Sequence, residues 1–123
     1  MLADRRVYAT IPAADLERAR RWYEEKLGLK PTSREEAGLI YELGEGTGFL
    51  LYATSLAGKA PNTLASFSST DIKADIAALE KRGVVFEDYD LPGLKTENHI
   101  ATMGTRHGAW FKDSDGNILA LSG

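Results

Sequence analysis

Val7-Tyr8-Ala9-Thr10-Ile11, then Asp15-Leu16, then a polar-apolar run ending at Leu27-Gly28, then Leu29-Lys30-Pro31: this stretch decides the fold, because the chain uses it twice. The second half answers with Leu64-Ala65-Ser66-Phe67-Ser68, then Asp71-Ile72, a run ending at Arg82-Gly83, and Val84-Val85-Phe86. Each copy reads strand, helix, glycine stop, strand. A duplication constrains architecture more than any single element does, since each copy must fold alike and bury its apolar face against its neighbour.

Within the first helical run, Leu16, Ala19, Tyr23 and Leu27 recur at spacings of three and four and form one apolar stripe. Glu17, Arg18, Arg21 and Glu25 fall on the wet side, and Trp22 sits at the stripe's edge. Asp15 stands where an N-cap carboxylate accepts from first-turn amides, and Gly28 supplies a permissive stop. In the second run Ile72, Ile76 and Leu79 form the stripe, with Asp71 or Thr70 as cap and Gly83 as stop.

After the first helix, strands are expected over 32–36, 39–43 and 49–53. After the second they are expected over 84–89, 109–112 and 118–121, with an extra strand near 99–103. The fold class is α+β: two tandem βαβββ modules forming an open, curled mixed sheet. The expected organisation is one domain over 1–123, with repeat one at about 3–54, a linker at about 55–62 holding Gly58 and Pro61, and repeat two at about 63–123.

Composition narrows the function. At 123 residues, with 43% hydrophobic and 27% charged, the chain has room for one folded core and lies outside the disordered regime. Absence of cysteine excludes disulfides, thiolate zinc sites, iron–sulfur clusters and a cysteine nucleophile. A net charge of −3 offers polyanions no general attraction, and Glu17, Glu24 and Glu25 surround the Arg18, Arg20, Arg21 cluster, so no nucleic-acid partner is expected. No apolar run approaches the roughly 18 residues of a membrane span, and Met1 leads into Leu-Ala-Asp-Arg-Arg rather than a leader, so a cytoplasmic protein with no membrane partner is expected.

Ile11-Pro-Ala-Ala-Asp15-Leu16-Glu-Arg-Ala19-Arg-Arg-Trp22-Tyr23-Glu-Glu-Lys-Leu27-Gly28-Leu29 resembles the opening of the vicinal oxygen chelate superfamily, which holds glyoxalases, bleomycin- and fosfomycin-resistance proteins and extradiol dioxygenases. Trp110-Phe111-Lys112-Asp113-Ser114-Asp115-Gly116-Asn117-Ile118-Leu119-Ala120-Leu121 looks like its closing hairpin, with Ser114 where proline is usual. Locally, Asp113, Asp115, Gly116 and Asn117 suit a tight turn. Asp113-Ser-Asp115-Gly-Asn117 imitates the start of a calcium loop, but its glycine is misplaced and no twelfth-position glutamate follows. Gly44-Glu-Gly46-Thr-Gly48 is glycine-rich but precedes a strand, so it reads as a hairpin turn rather than a phosphate loop.

The resemblance implies a divalent metal held by His, Gln or Glu, two ligands from each repeat. Carried onto this chain, its positions are Tyr8, Leu64, Ala120 and a residue of the strand 49–53, taken as Leu51. None is an ordinary ligand for such an ion, so no cofactor and no metal site are expected. Strand alternation puts Val7, Ile11, Phe67, Phe111, Leu119 and Leu121 toward the helices, and Tyr8, Thr10, Leu64, Ser66, Trp110 and Ala120 on the concave side. Tyr52 is an added contact, and Tyr41 and Tyr89 are candidates for the rim. Rings plus small polar groups suit a partly aromatic organic ligand. The expected function is therefore metal-independent binding of a small molecule through Tyr8, Tyr52, Leu64, Ser66, Trp110 and Ala120, and the resemblance implies a homodimer. The alternative is a metal-dependent or atypical lyase, isomerase or dioxygenase of the same superfamily, with His99, His107 or Tyr8 as acid or base.

Overall fold

The computed structural model describes residues 1–123. The first module runs β1 (Ala9–Ala13), α1 (Leu16–Trp22) continued by a π-helical turn (Tyr23–Leu27), β2 (Ser33–Glu35), β3 (Gly38–Glu42) and β4 (Gly48–Ala53). The second runs β5 (Thr63–Ser68), α2 (Ile72–Lys81), a short hairpin β6 (Asp90–Leu91) and β7 (Leu94–Glu97), then β8 (Ile100–Met103), β9 (Arg106–Lys112) and β10 (Ile118–Ser122). One sheet has the order β1-β4-β3-β2, the other β5-β10-β9-β8-β7-β6. In each, the module's first strand lies parallel to its last and the remaining pairs are antiparallel. The two modules thus share one topology, and the β6–β7 hairpin is the second module's addition.

The helix signals act as their chemistry dictates. Asp15 Oδ1 accepts from the Arg18 amide at 3.0 Å, and Asp71 Oδ1 from the Ala74 amide at 3.1 Å. Gly28 ends the first helix in the left-handed region at φ 70°, a conformation glycine adopts without a Cβ penalty. Between β3 and β4 the glycine-rich stretch forms the hairpin turn.

One expected strand is displaced. Residues 84–89 make a single bridge, Phe86 to Phe111, and the strand that pairs beside β9 is β8, in the place expected to hold only an extra strand. Val84 and Phe86 are buried while Val85 is 79% exposed, so alternating burial imitates a strand where no ladder forms. Val7 also departs from expectation. It precedes β1 and is 85% exposed, with no place against the helices.

A single cluster of 15 buried side chains draws on both modules. Tyr41 stacks on Phe49 with ring centroids 4.4 Å apart, Tyr23 closes on both, and Phe86 meets Phe111 edge-on at 5.4 Å. Full burial of side chains this size stabilises by roughly 1.5–3 kcal/mol each.

The turn between β9 and β10 is more than local. Asp113 Oδ1 accepts from the amides of Asp115 and Asn117, while its Oδ2 accepts from the Tyr23 hydroxyl at 2.6 Å and from Asn117 Nδ2 at 2.9 Å. Asn117 Nδ2 also donates to the Pro12 carbonyl at 2.7 Å, and its Oδ1 accepts from the Gly58 amide at 3.0 Å. Asp115 Oδ1 accepts from the Ala14 amide and from Arg18 Nη2, at 3.1 and 3.0 Å. This turn therefore fastens the second module to β1, to α1 and to the linker. Arg18, exposed as expected, is also one of its partners.

Candidate functional site

Register sorts the strand residues into two faces. Leu39, Leu51 and Ile11 share a rung on the helix side, as do Tyr41, Phe49 and Ala9. The next rung, Ile40, Leu50 and Thr10, belongs to the open face, and so do Pro12 and Tyr52 beyond it. Tyr8 precedes β1 on that same face. Its ring covers Gly48, where a Cβ would stand 2.9 Å from it, and its hydroxyl accepts from Arg6 Nη1 at 3.2 Å.

On the second sheet, Ser66, Ala120 and Trp110 occupy one rung of the open face, with Ala120 in the middle. Ser68, Ser122 and Gly108 form the next, and Ser66 Oγ donates to Ser122 Oγ at 2.9 Å. The Trp110 indole folds over Gly108 beside Met103 and meets Tyr89 edge-on at 5.7 Å. Burial raises the Tyr89 phenol above its usual range, with Glu87 adding to the effect. Leu64 is the extra residue where the β5–β10 register slips between Ile118 and Leu119, a bulge.

The structure therefore gathers Ser66, Trp110 and Ala120 into one row, sets Leu64 beside them, and holds Tyr8 and Tyr52 on the other sheet. The two sheets approach each other through β1 and β5. Tyr41 is no rim residue. It is fully buried on the helix side, its hydroxyl without a partner, and burial pushes its phenol up to about 12. Leu51 is likewise in the core, and the residues β4 shows on the open face are Leu50 and Tyr52. Met103, Ser122 and Tyr89 join the row around Trp110. Ser122 was legible from its spacing to Ala120, whereas Met103 was hidden by the uncertain strand that carries it.

Both histidines lie elsewhere. His107 alternates with Trp110 and so faces the helix side of β9, where Nδ1 sits 3.2 Å from Thr102 Oγ1. It lines a groove of about 590 Å³ with Ile72, Lys73 and Glu97. His99 occupies the β7–β8 turn at φ 72°, its Nδ1 3.0 Å from Asp88 Oδ1 and its Nε2 3.7 Å from Glu80 Oε2. The carboxylates engage opposite ring nitrogens, an arrangement that holds an imidazole rather than a shared ion.

At the positions assigned to a metal, the chain presents the Tyr8 phenol and the hydrocarbon of Leu64 and Ala120; the fourth, Leu51, is buried in the core, and its neighbour on the open face is Leu50, again hydrocarbon. That donor set does not fit a hard or borderline divalent ion. No group of three or more His, Asp or Glu side chains converges elsewhere in the chain. No helix is long and apolar enough to cross a membrane.

Comparison with known structures agrees with this architecture. UcmS2 superposes with a TM-score of 0.74 at 20% identity, over 96% of each chain. TnmS3, an antibiotic binding protein from Streptomyces sp. CB03234, gives 0.70 at 23% identity over 98% of this chain and 96% of its own. A glyoxalase family protein from Enterococcus faecalis gives 0.72 at 20% identity over 100% of both. No curated protein sequence matches the chain significantly. The profile of the Glyoxalase/Bleomycin resistance protein/Dioxygenase superfamily, however, matches residues 5–121, and with the duplicated βαβββ topology it identifies the chain as a member of that superfamily.

Proposed function

We propose that this protein binds a small, partly aromatic organic molecule on the open face of its sheets, without a metal. One observation carries the reading: the positions to which the family resemblance assigns a metal carry a phenol and alkyl groups here, beside a row in which Trp110 and Ser66 flank the small Ala120. Trp110 offers a ring face and an indole donor, and Ser66 a hydroxyl. Leu64 supplies apolar surface, while Tyr8 and Tyr52 add phenols on the adjoining sheet. Such surroundings orient a largely apolar guest by a few hydrogen bonds. TnmS3, described as an antibiotic binding protein, lends this ligand class support. A homodimer in which the open faces of two copies enclose the guest completes the reading, and the 52% exposure of Met103 beside Trp110 is consistent with it.

The test is a fluorescence titration with amphipathic antibiotics and aromatic metabolites, comparing the native chain with Trp110→Phe and Trp110→Ala, and sedimentation for the dimer. A saturable emission change is expected for at least one class. It should shrink in Trp110→Phe, where only Trp22 remains to report, and affinity should fall roughly tenfold in Trp110→Ala. If no compound perturbs the emission, or Trp110→Ala binds as tightly as the native chain, the reading is wrong.

A further inference from the structure

On the opposite side of the second sheet, a groove of about 300 Å³ runs between the two helices. Leu27 and Leu29, following α1, form one wall and Leu79 of α2 the other, over a floor of Phe67, Phe111 and Leu121. These floor residues alternate along their strands with Ser66, Trp110 and Ala120, so the groove and the open face are separated by the thickness of one sheet. Phe111 and Leu121 are buried, but Leu27, Leu29, Phe67 and Leu79 stay half-exposed, which leaves apolar surface in a concavity large enough for a small organic molecule.

Two charged side chains line the groove, Asp75 of α2 and Arg82 at its C-cap. Arg82 forms no ion pair. Its Nη2 lies 2.9 Å from where a Cβ on Gly28 would stand, and its Nη1 donates to the Glu25 carbonyl at 3.4 Å. The bare αL glycine thus makes room for the guanidinium, and the end of the first helix holds it at the groove mouth. Asp75, seven residues earlier and so about 10 Å along the helix axis, has its Oδ2 occupied by the Ser69 hydroxyl at 2.5 Å. An anionic head is therefore favoured at one end only.

We propose that this groove is a second ligand site, for a small amphipathic carboxylic acid. Its apolar body lies on Phe67, Phe111 and Leu121 with its carboxylate against Arg82. The polarity makes a sharp distinction among probes of equal length. A monocarboxylate satisfies Arg82 and leaves hydrocarbon toward Asp75, whereas a dicarboxylate brings its second charge to Asp75 and an alkylammonium repels Arg82.

Calorimetric titration with octanoate, suberate, octanol and octylammonium tests this. Octanoate should bind with one site per chain in the millimolar range or tighter, and the other three should bind at least threefold more weakly. Arg82→Gln should weaken octanoate three- to tenfold, the range of a solvent-touched ion pair, while leaving octanol unchanged. Ala78→Trp, which fills the groove from the exposed side of α2, should abolish binding, with circular dichroism confirming that both variants fold. Trp110→Ala should bind octanoate like the native chain. Failure of octanoate to saturate, equal binding of octanol with no effect of Arg82→Gln, or loss of octanoate binding in Trp110→Ala would each overturn the proposal.

Discussion

Replacing Asn117 by alanine tests whether the closing turn joins the two modules. The side chain is fully buried and makes three hydrogen bonds: to the Pro12 carbonyl, to Asp113 Oδ2, and from the Gly58 amide. Alanine leaves the Pro12 oxygen and the Gly58 N–H unpaired in part-buried surroundings, at about 1 kcal/mol each, the low end for a stripped backbone group. Asp113 keeps Tyr23 and the two amides but loses one donor to a buried carboxylate, about 1–2 kcal/mol. The expected loss is therefore about 3–4 kcal/mol, a large fraction of the roughly 5–15 kcal/mol that holds a domain folded. Tm should fall by roughly 12–16 °C. Urea unfolding followed by circular dichroism gives the total. Single-tryptophan versions report each module separately, Trp22 from the first and Trp110 from the second. Asn62→Ala serves as the control, because that amide bonds only the neighbouring Thr63 carbonyl in an exposed setting, and it should change stability by less than about 0.5 kcal/mol. If Asn117→Ala costs under about 1 kcal/mol, or no more than the control, the turn is a local feature and the reasoning fails.

Tyr41→Phe should be neutral or stabilising by up to about 1 kcal/mol, since the hydroxyl it removes is buried without a partner; a loss above about 1 kcal/mol in the same urea experiment would show that the hydroxyl is hydrogen-bonded. Alkaline stability should fall above about pH 10, because the unfolded chain then releases phenolic protons that the folded chain retains. Tyr41 keeps its proton to about 12, and burial followed by the Asp113 carboxylate pushes Tyr23 well above the usual range. Both are protonated in either state near neutrality, so pH 6 to 9 should show no tyrosine effect. The limiting slope is about 1.4 kcal/mol per pH unit for each phenol, and it should flatten in Tyr23→Phe; an unchanged slope would refute the assignment. Excess manganese, nickel or zinc should leave Tm within about 1 °C, and elemental analysis of protein purified without chelator should find little metal. Near-stoichiometric tight metal would show that the ligand positions have been misread.

The repeat, both helix caps and the closing turn were legible because each depends on short-range chemistry: an Asp at a helix start, a Gly at its stop, apolar spacing between. What failed depends on pairing. Val84-Val85-Phe86 alternates in burial like a strand, yet it packs on β9 with one bridge, while the ladder beside β9 is made by β8, a four-residue strand in which only Ala101 is fully buried. Leu51, carried over from the resemblance, and Tyr41, a candidate for the rim, both lie in the core, and only the register with Ile11 and Phe49 fixes their side of the sheet. The long reach of Asn117 to Pro12 and Gly58 had no local signal, since nothing in a tight turn announces its distant partners. The open-face row of Ser66, Trp110 and Ala120 was readable because two motifs fixed the phase of its strands.

Tyr8, Tyr52, Leu64, Ser66 and Trp110 are not fully buried, and Ala120, which is, stands outside the cluster that holds the modules together. Side chains on this face are thus largely excused from the work of folding. They can be substituted one open-face position at a time, while the packing of the helix-side residues between them is left intact. A chain built on this scaffold can change the chemistry of its open face without first acquiring spare stability.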